Sequence, residues 1–163
     1  MVSLTDKKFP LMVVEDSDED FEALSRILCT LGIKIRVQRC GTGDECLKAL
    51  GHGTEDNPDA DKRLLPGLIL LDLNLPGTDG RDALRMIKTD PYLKMIPVTV
   101  LTSSASPGDV AACYAYGVNA YVLKSLDFDD LTKTVRTVTD FWFRTAVLPT
   151  ANFLEQTSAE RAG

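Results

Sequence analysis

Glu15-Asp16, Asp72, Thr102 and Lys124 each stand at the end of a short apolar run: Leu11-Met12-Val13-Val14, Leu68-Ile69-Leu70-Leu71, Pro97-Val98-Thr99-Val100-Leu101 and Ala120-Tyr121-Val122-Leu123. Three carboxylates brought together repel, and at neutral pH they require a cation or a shared proton. An all-oxygen donor set with few protein atoms suits Mg²⁺, which keeps several waters and takes one or two carboxylates together with phosphate oxygens. A metal, a lysine and a hydroxyl around one aspartate are the equipment of phosphoryl transfer. The cations neutralise the equatorial oxygens while the carboxylate attacks in line, and carboxylates that form an aspartyl phosphate are a known class of nucleophile. Asp72, delivered by the clearest and most central strand, is the stronger candidate for that nucleophile, with Glu15 and Asp16 holding the metal. Each residue also has an ordinary structural role: Asp16 or Ser17 as a helix cap, Thr102 as a strand residue, Lys124 as the partner of a surface acid. What favours the chemical reading is that all of them fall at the same rim.

The rim follows from the elements. Residues 17–31 carry apolar side chains at Phe21, Leu24, Ile27, Leu28 and Leu31, a helical spacing that Gly32 stops. The alternation Ile33, Ile35, Val37 predicts a half-exposed strand over residues 33–39, at an edge. A short helix is expected over 42–50, with Cys46, Leu47 and Leu50 inward, and a loop over 51–66. Helices are expected over 79–88, with Ala83, Leu84 and Ile87 packing, over 107–116, and from Asp127 to Val147 with the stripe Leu131, Val135, Val138 and Trp142. Five strands alternating with five helices predict an α/β fold, a doubly wound parallel sheet covered on both faces. Ligands of such sheets bind at the carboxyl ends of the strands, where the polar residues lie.

Composition removes other functions. The 163 residues hold 18 Lys+Arg against 24 Asp+Glu, a net charge of −6, which argues against nucleic acid as a partner. Hydrophobic residues at 44% and charged ones at 26% are ordinary for a globular protein with a full core. No apolar run reaches the roughly 18 residues of a membrane helix, and the first ten residues do not read as a secretory signal, so a cytoplasmic protein without membrane contact is expected. Cys29, Cys40, Cys46 and Cys113 form no CxxC pair and are expected as reduced, mostly buried thiols. A histidine-based catalytic triad could be built only around His52, the one histidine, which lies between Gly51 and Gly53 in a stretch expected to have no fixed geometry and is expected as a solvated loop residue rather than a base.

These motifs, Val14-Glu15-Asp16, Leu70-Leu71-Asp72-Leu73-Asn74-Leu75-Pro76-Gly77 with Asp79-Gly80, Leu101-Thr102-Ser103 and Tyr121-Val122-Leu123-Lys124, resemble the receiver domain of two-component response regulators over about residues 9–140. The resemblance implies a flavodoxin-like (βα)5 sheet of strand order 2-1-3-4-5, with no enzymatic turnover of outside substrates. It implies Asp72 as phosphoacceptor, Mg²⁺ held by Asp16, Asp72 and the main-chain carbonyl of Asn74, and Glu15 at the outer acidic position. It further implies Lys124 as the phosphate-pairing lysine, Thr102 and Tyr121 as the switch pair, and a sensor histidine kinase as partner. The loop 51–66, Gly117-Val118-Asn119-Ala120-Tyr121, Asp140-Phe141-Trp142 and Val147-Leu148-Pro149 are similar to the single-domain regulators of bacterial phytochrome kinases. One departure is Ser125, where the family usually has a proline that forms a cis peptide.

Residues 141–163 are expected as a C-terminal helical extension and tail with no room for an output domain, so that output is protein contact or phosphate relay to another protein. Phe141, Trp142, Phe143, Val147 and Leu148 offer apolar surface for a homodimer, because Phe141 and Phe143 do not share the inward stripe. The alternative is a tail folded back on its own domain. Three other functions compete. A Mg²⁺-dependent aspartyl-phosphate phosphatase would need an acid where Asn74 stands. A flavin site would need a phosphate loop in place of the acidic run 15–20. The third is a receiver fold that binds partners without being phosphorylated.

Overall fold

The apolar runs become strands because each has four or five residues and is bounded by turn formers or charge. The computed structural model describes residues 9–53 and 65–149. Strands β1 (Leu11–Val14), β2 (Val37–Cys40), β3 (Leu68–Leu71), β4 (Val98–Thr102) and β5 (Ala120–Leu123) alternate with helices α1 (Asp18–Thr30), α2 (Gly43–Leu50), α3 (Gly80–Thr89), α4 (Pro107–Ala115) and α5 (Phe128–Asp140). All pairings are parallel, in the order β2-β1-β3-β4-β5, the doubly wound sheet that the alternation predicts. A 3-10 turn, Leu93–Met95, leads into β4 and has no counterpart in the sequence reading.

Side-chain alternation divides the core in two. Met12, Val14, Ile69, Leu71, Val98 and Val100 face α2, α3 and Cys113 of α4. Leu11, Val13, Leu68, Leu70 and Leu101 face α1 and α5, meeting Leu24, Ile27, Leu131 and Val135. Every helix opens on a side chain that accepts a first-turn N–H: Ser17, Thr42, Asp79, Ser106 and Asp127. Ser17 therefore caps α1, and Asp16 is left over for other work. Cys40, Cys46 and Cys113 are buried, and Cys29 is exposed.

Three expectations are corrected. The β2 ladder begins at Val37 rather than Ile33, because Val37 is paired with Leu11, the first residue of β1, and the chain before it has no strand to join. Ile33 and Ile35 still pack against the core. His52 does not float in a loop: its N–H donates to the Leu47 carbonyl and that of Gly51 to the Lys48 carbonyl, closing α2 with Gly51 at φ +77°.

The third correction concerns the C-terminal helix. The α-helix ends at Asp140, and the turn Phe141–Thr145 is π-helical, closed by the Ala146 N–H donating to the Phe141 carbonyl at 2.7 Å. The inward row is Leu131, Val135, Thr139, Phe143, four residues apart, with Val138 and Trp142 at its margin. Phe143 is 3% exposed within its own domain. A Cβ on Gly67 would lie 2.9 Å from Leu148 Cδ1 and 3.4 Å from the Phe143 ring, so the returning chain packs over the start of β3. The Trp142 indole N–H donates to the buried Thr99 hydroxyl at 3.2 Å. Phe143 is thus a core residue of the single chain, with Trp142 and Leu148 partly buried against it. Of the five proposed dimer residues, only Phe141 (50%) and Val147 (96%) remain broadly exposed.

Replacing Phe143 by Ala is expected to destabilise the chain by about 3–5 kcal/mol, the cost of emptying a core aromatic site. Urea unfolding checks this. A loss below 1 kcal/mol would return Phe143 to the surface.

Candidate functional site

Parallel pairing of β1 with β3, from Leu11 opposite Leu68 to Val14 opposite Leu71, carries Glu15 and Asp72 out of the sheet side by side. The Asp72 N–H donates to the Val14 carbonyl and that of Glu15 to the Cys40 carbonyl. At the other edge of β4, Thr102 pairs with Leu123, and the Lys124 N–H donates to the Thr102 carbonyl at 2.8 Å. From there the lysine reaches across β4. Its Nζ donates to Glu15 Oε2 at 2.6 Å, to Asp20 Oδ2 at 2.9 Å and to Asp72 Oδ2 at 3.4 Å.

Glu15 is 2% exposed and Asp72 8%. Burial works against the Lys124 charge, but its bonds to Glu15 and Asp20 and the charge of Asp72 outweigh burial and hold the ammonium above its ordinary range. Burial pushes the Glu15 carboxyl up, against the pull of Lys124. Carboxylate oxygens of Glu15, Asp16 and Asp72 lie within 4.8 Å of one another, in the range of a single hard cation. Both Glu15 oxygens are engaged, one by Lys124 and one by the Ser17 N–H at 3.0 Å. That leaves exposed Asp16, with Asp72, as the pair best able to offer oxygens to a metal. Asp16, Ser17, Asp20, Asp72, Asn74, Ser103 and Lys124 line one open cleft.

Two loops are fixed by side chains at a distance in sequence. Arg39 of β2 donates to the carbonyls of Glu15 and Asp16 at 3.1 and 3.2 Å, pairs with Asp18 at 2.7 Å and lies 4.7 Å over the Phe21 ring. It sets the path of the segment that carries Asp16. After β3, Asp44 of α2 accepts from the Thr78 N–H at 3.0 Å and its hydroxyl at 2.6 Å. A Cβ on Gly80 would strike the Asp72 carbonyl oxygen, so α3 starts in direct contact with the chain leaving β3. The Asn74 N–H donates to Asp72 Oδ1 at 3.3 Å, which turns the segment back over the carboxylate.

Thr102 and Tyr121 converge elsewhere. Thr102, fully buried on the face of Val98 and Val100, accepts from the Ser104 N–H at 3.3 Å, and the Tyr121 hydroxyl donates to the Ser104 carbonyl at 2.8 Å. Ser104 Oγ donates to Asp109 Oδ2 at 2.6 Å, and Asp109 takes both arms of Arg81 at 2.7 Å. Arg81 also grips Asp79, the cap of α3, at 3.0 Å. The Thr102 hydroxyl is thus turned toward the β4–α4 loop, and Ser103 is the residue of this segment that lines the cleft.

The model of the response regulator receiver domain matches residues 11–136. The chain belongs to that family. It is 40% identical over 143 residues to the response regulator Rcp1 of Synechocystis sp., covering 86% of this chain and 93% of Rcp1. The solved structure of the phosphorylated cyanobacterial phytochrome response regulator RcpA is similar with a TM-score of 0.75 at 34% identity, over 87% of this chain and 99% of RcpA. The Mn²⁺-bound form of Rcp1 is similar with a TM-score of 0.74 at 39% identity, over 87% of this chain and 99% of that one.

This receiver therefore has the phosphorylation-accepting role of a two-component pathway, with a histidine kinase as the class of its partner and a divalent cation as the class of its cofactor. No helix among the described residues is long and apolar enough to cross a membrane. The sequence reading missed Asp20, Arg39, Asp44, Ser104 and the Arg81–Asp109 pair. Only Asp20 left a signal: it closes the acidic run 15–20 and stands in the first turn of α1.

The Arg81 and Ser104 bonds hold the Asp109 carboxyl down to about 2, below the 3.8 of an unfolded chain. A depressed carboxyl stabilises the fold fully above the unfolded value and loses that contribution as pH falls through the folded one. Asp109→Asn is expected to lower the melting temperature at pH 7, and the gap to wild type should close between about pH 4 and pH 2. A pH-independent gap in thermal unfolding would show that the pair acts by packing alone.

Proposed function

We propose that Asp72 accepts a phosphoryl group from a histidine kinase and that the chain, acting as a single-domain response regulator, passes the signal on by protein contact. The observation that carries this is Lys124 bonded to Glu15 and Asp72 beside the exposed carboxylate of Asp16. Asp72 attacks phosphorus in line, the bond from phosphorus to the kinase imidazole nitrogen breaks, and its electron pair stays on that nitrogen. Lys124 then meets a phosphoryl oxygen. Asp16, Asp72 and the main-chain carbonyl of Asn74 hold Mg²⁺, with Glu15, its oxygens already engaged, at the outer acidic position. When bound, Mg²⁺ neutralises charge on the transferring group. Asn74, two residues past the acceptor, offers no acid for a phosphatase, which supports signalling over turnover. Thr102 and Tyr121 are the switch pair, leaving Ser104 when the hydroxyl of Thr102 is drawn to the phosphoryl group.

The likeness to the phytochrome response regulator RcpA supports a phytochrome-type kinase, and the place of action proposed is the cytoplasm. A homodimer is proposed through the surface that the folded-back tail leaves open, Phe141 and Val147. The larger segment 141–163 includes residues 150–163, which lie outside the described residues.

Acetyl phosphate with Mg²⁺ is expected to add one phosphoryl group by intact mass. Asp72→Asn and Mg²⁺ removal by chelator should each cut labelling at least about 100-fold, the scale on which nucleophile and metal contribute. Labelling of Asp72→Asn at the wild-type level would remove the assignment. In sedimentation, wild type is expected as a dimer and the Phe141→Ser, Val147→Ser double variant as a folded monomer. Truncation after Asp140 is no substitute, because it takes Phe143 out of the core.

A further inference from the structure

We propose that Asp20 is a positioning residue for Lys124: it holds the ammonium back from Asp72 and yields it when a phosphoryl group arrives. This rests on Asp72 being the acceptor. A lysine ammonium can donate three hydrogen bonds, and here three carboxylates surround it, with Asp72 the most distant at 3.4 Å and Glu15 and Asp20 at 2.6 and 2.9 Å. The lysine must therefore change partners to serve a group on Asp72.

The two nearer partners are not equivalent. The Glu15 side chain is 3% exposed and its second oxygen is held by the Ser17 N–H, so releasing Lys124 would strand a buried charge. The Asp20 side chain is 46% exposed, so its carboxylate can return to water at small cost.

The first turn of α1 explains why Asp20 is free for this work. A carboxylate three residues after a serine cap ordinarily reaches back to the N–H of the cap. Here that N–H is taken by Glu15, while Asp20 gives only its own N–H to Ser17 Oγ. The Asp20 carboxylate is left to face the cleft, where it competes with the phosphoryl group for one lysine.

Beryllium trifluoride with saturating Mg²⁺, a stable stand-in for the phosphoryl group, tests this by titration calorimetry. Asp20→Asn is expected to bind it about three- to tenfold more tightly than wild type, the size of a partly screened charge contact. Asp20→Ser should change affinity in the same direction. Glu19→Gln removes a charge from the same turn without touching Lys124 and is expected to stay within twofold. Equal or weaker binding by the two Asp20 variants, or equal tightening by Glu19→Gln, overturns the proposal, since structural damage to α1 would only loosen binding. Wild type that fails to bind beryllium trifluoride, or that binds it equally after Asp72→Asn, instead overturns the acceptor assignment, so the two failures are distinct.

Discussion

One ammonium group, that of Lys124, allows three carboxylates to sit together at the end of this sheet. Glu15 and Asp72 are both buried beside it. Removing a partner from such an arrangement costs about 3–5 kcal/mol, because a charge is left in a poorly solvated place. The position of the lysine depends in turn on the edge pairing of β5 with β4, where the Lys124 N–H donates to the Thr102 carbonyl. Its aim does not depend on a proline after it. Every peptide bond among the described residues is trans, and Ser125 uses its hydroxyl to accept from the Asp127 N–H and lead the chain into α5.

The pleat separates two sets of polar residues. Glu15, Asp72 and Lys124 continue the alternation of Leu11 and Val13, Leu68 and Leu70, and Val122, the side toward α1 and α5. Thr102 and Tyr121 lie on the other side, toward α3 and α4, and hold Ser104 from two directions. Ser104 leads through Asp109 to Arg81 and the start of α3, which itself abuts the main chain of Asp72. The two sets also meet at one rung of the sheet, where the Lys124 N–H donates to the Thr102 carbonyl.

Four strands and the charged rim were legible because their apolar runs are short, strongly bounded and end in charge or hydroxyl. The rest was hidden for separate physical reasons. Thr139 breaks the apolar row of α5 in sequence but not in space. Its hydroxyl donates to the Val135 carbonyl at 2.7 Å, so a threonine serves in a core position and Phe143, one turn on, follows it inward. The β2 start was misread because alternation marks burial on one face, and Ile33 and Ile35 are partly buried without being paired in the sheet. Arg39, Asp44 and Arg81 were illegible because each acts on a residue brought near only by the fold, 34 positions away for Asp44 and Thr78.

The acidity of the rim has a further counterweight in α1. Asp18, Glu19 and Asp20 fill its first turn, where the unpaired N–H groups of the helix carry a partial positive charge that favours anions. Arg39 balances Asp18, Lys124 takes Asp20, and Glu19 stays in water. Asp16, just before the cap, is exposed in the cleft, and among the described residues no side-chain cation is bonded to it. Asp18 and Asp20 thus each have a cation, and Asp16, the acid beside Asp72, has none among the described residues. The rim keeps an unbalanced negative charge at the position that a divalent cation would fill.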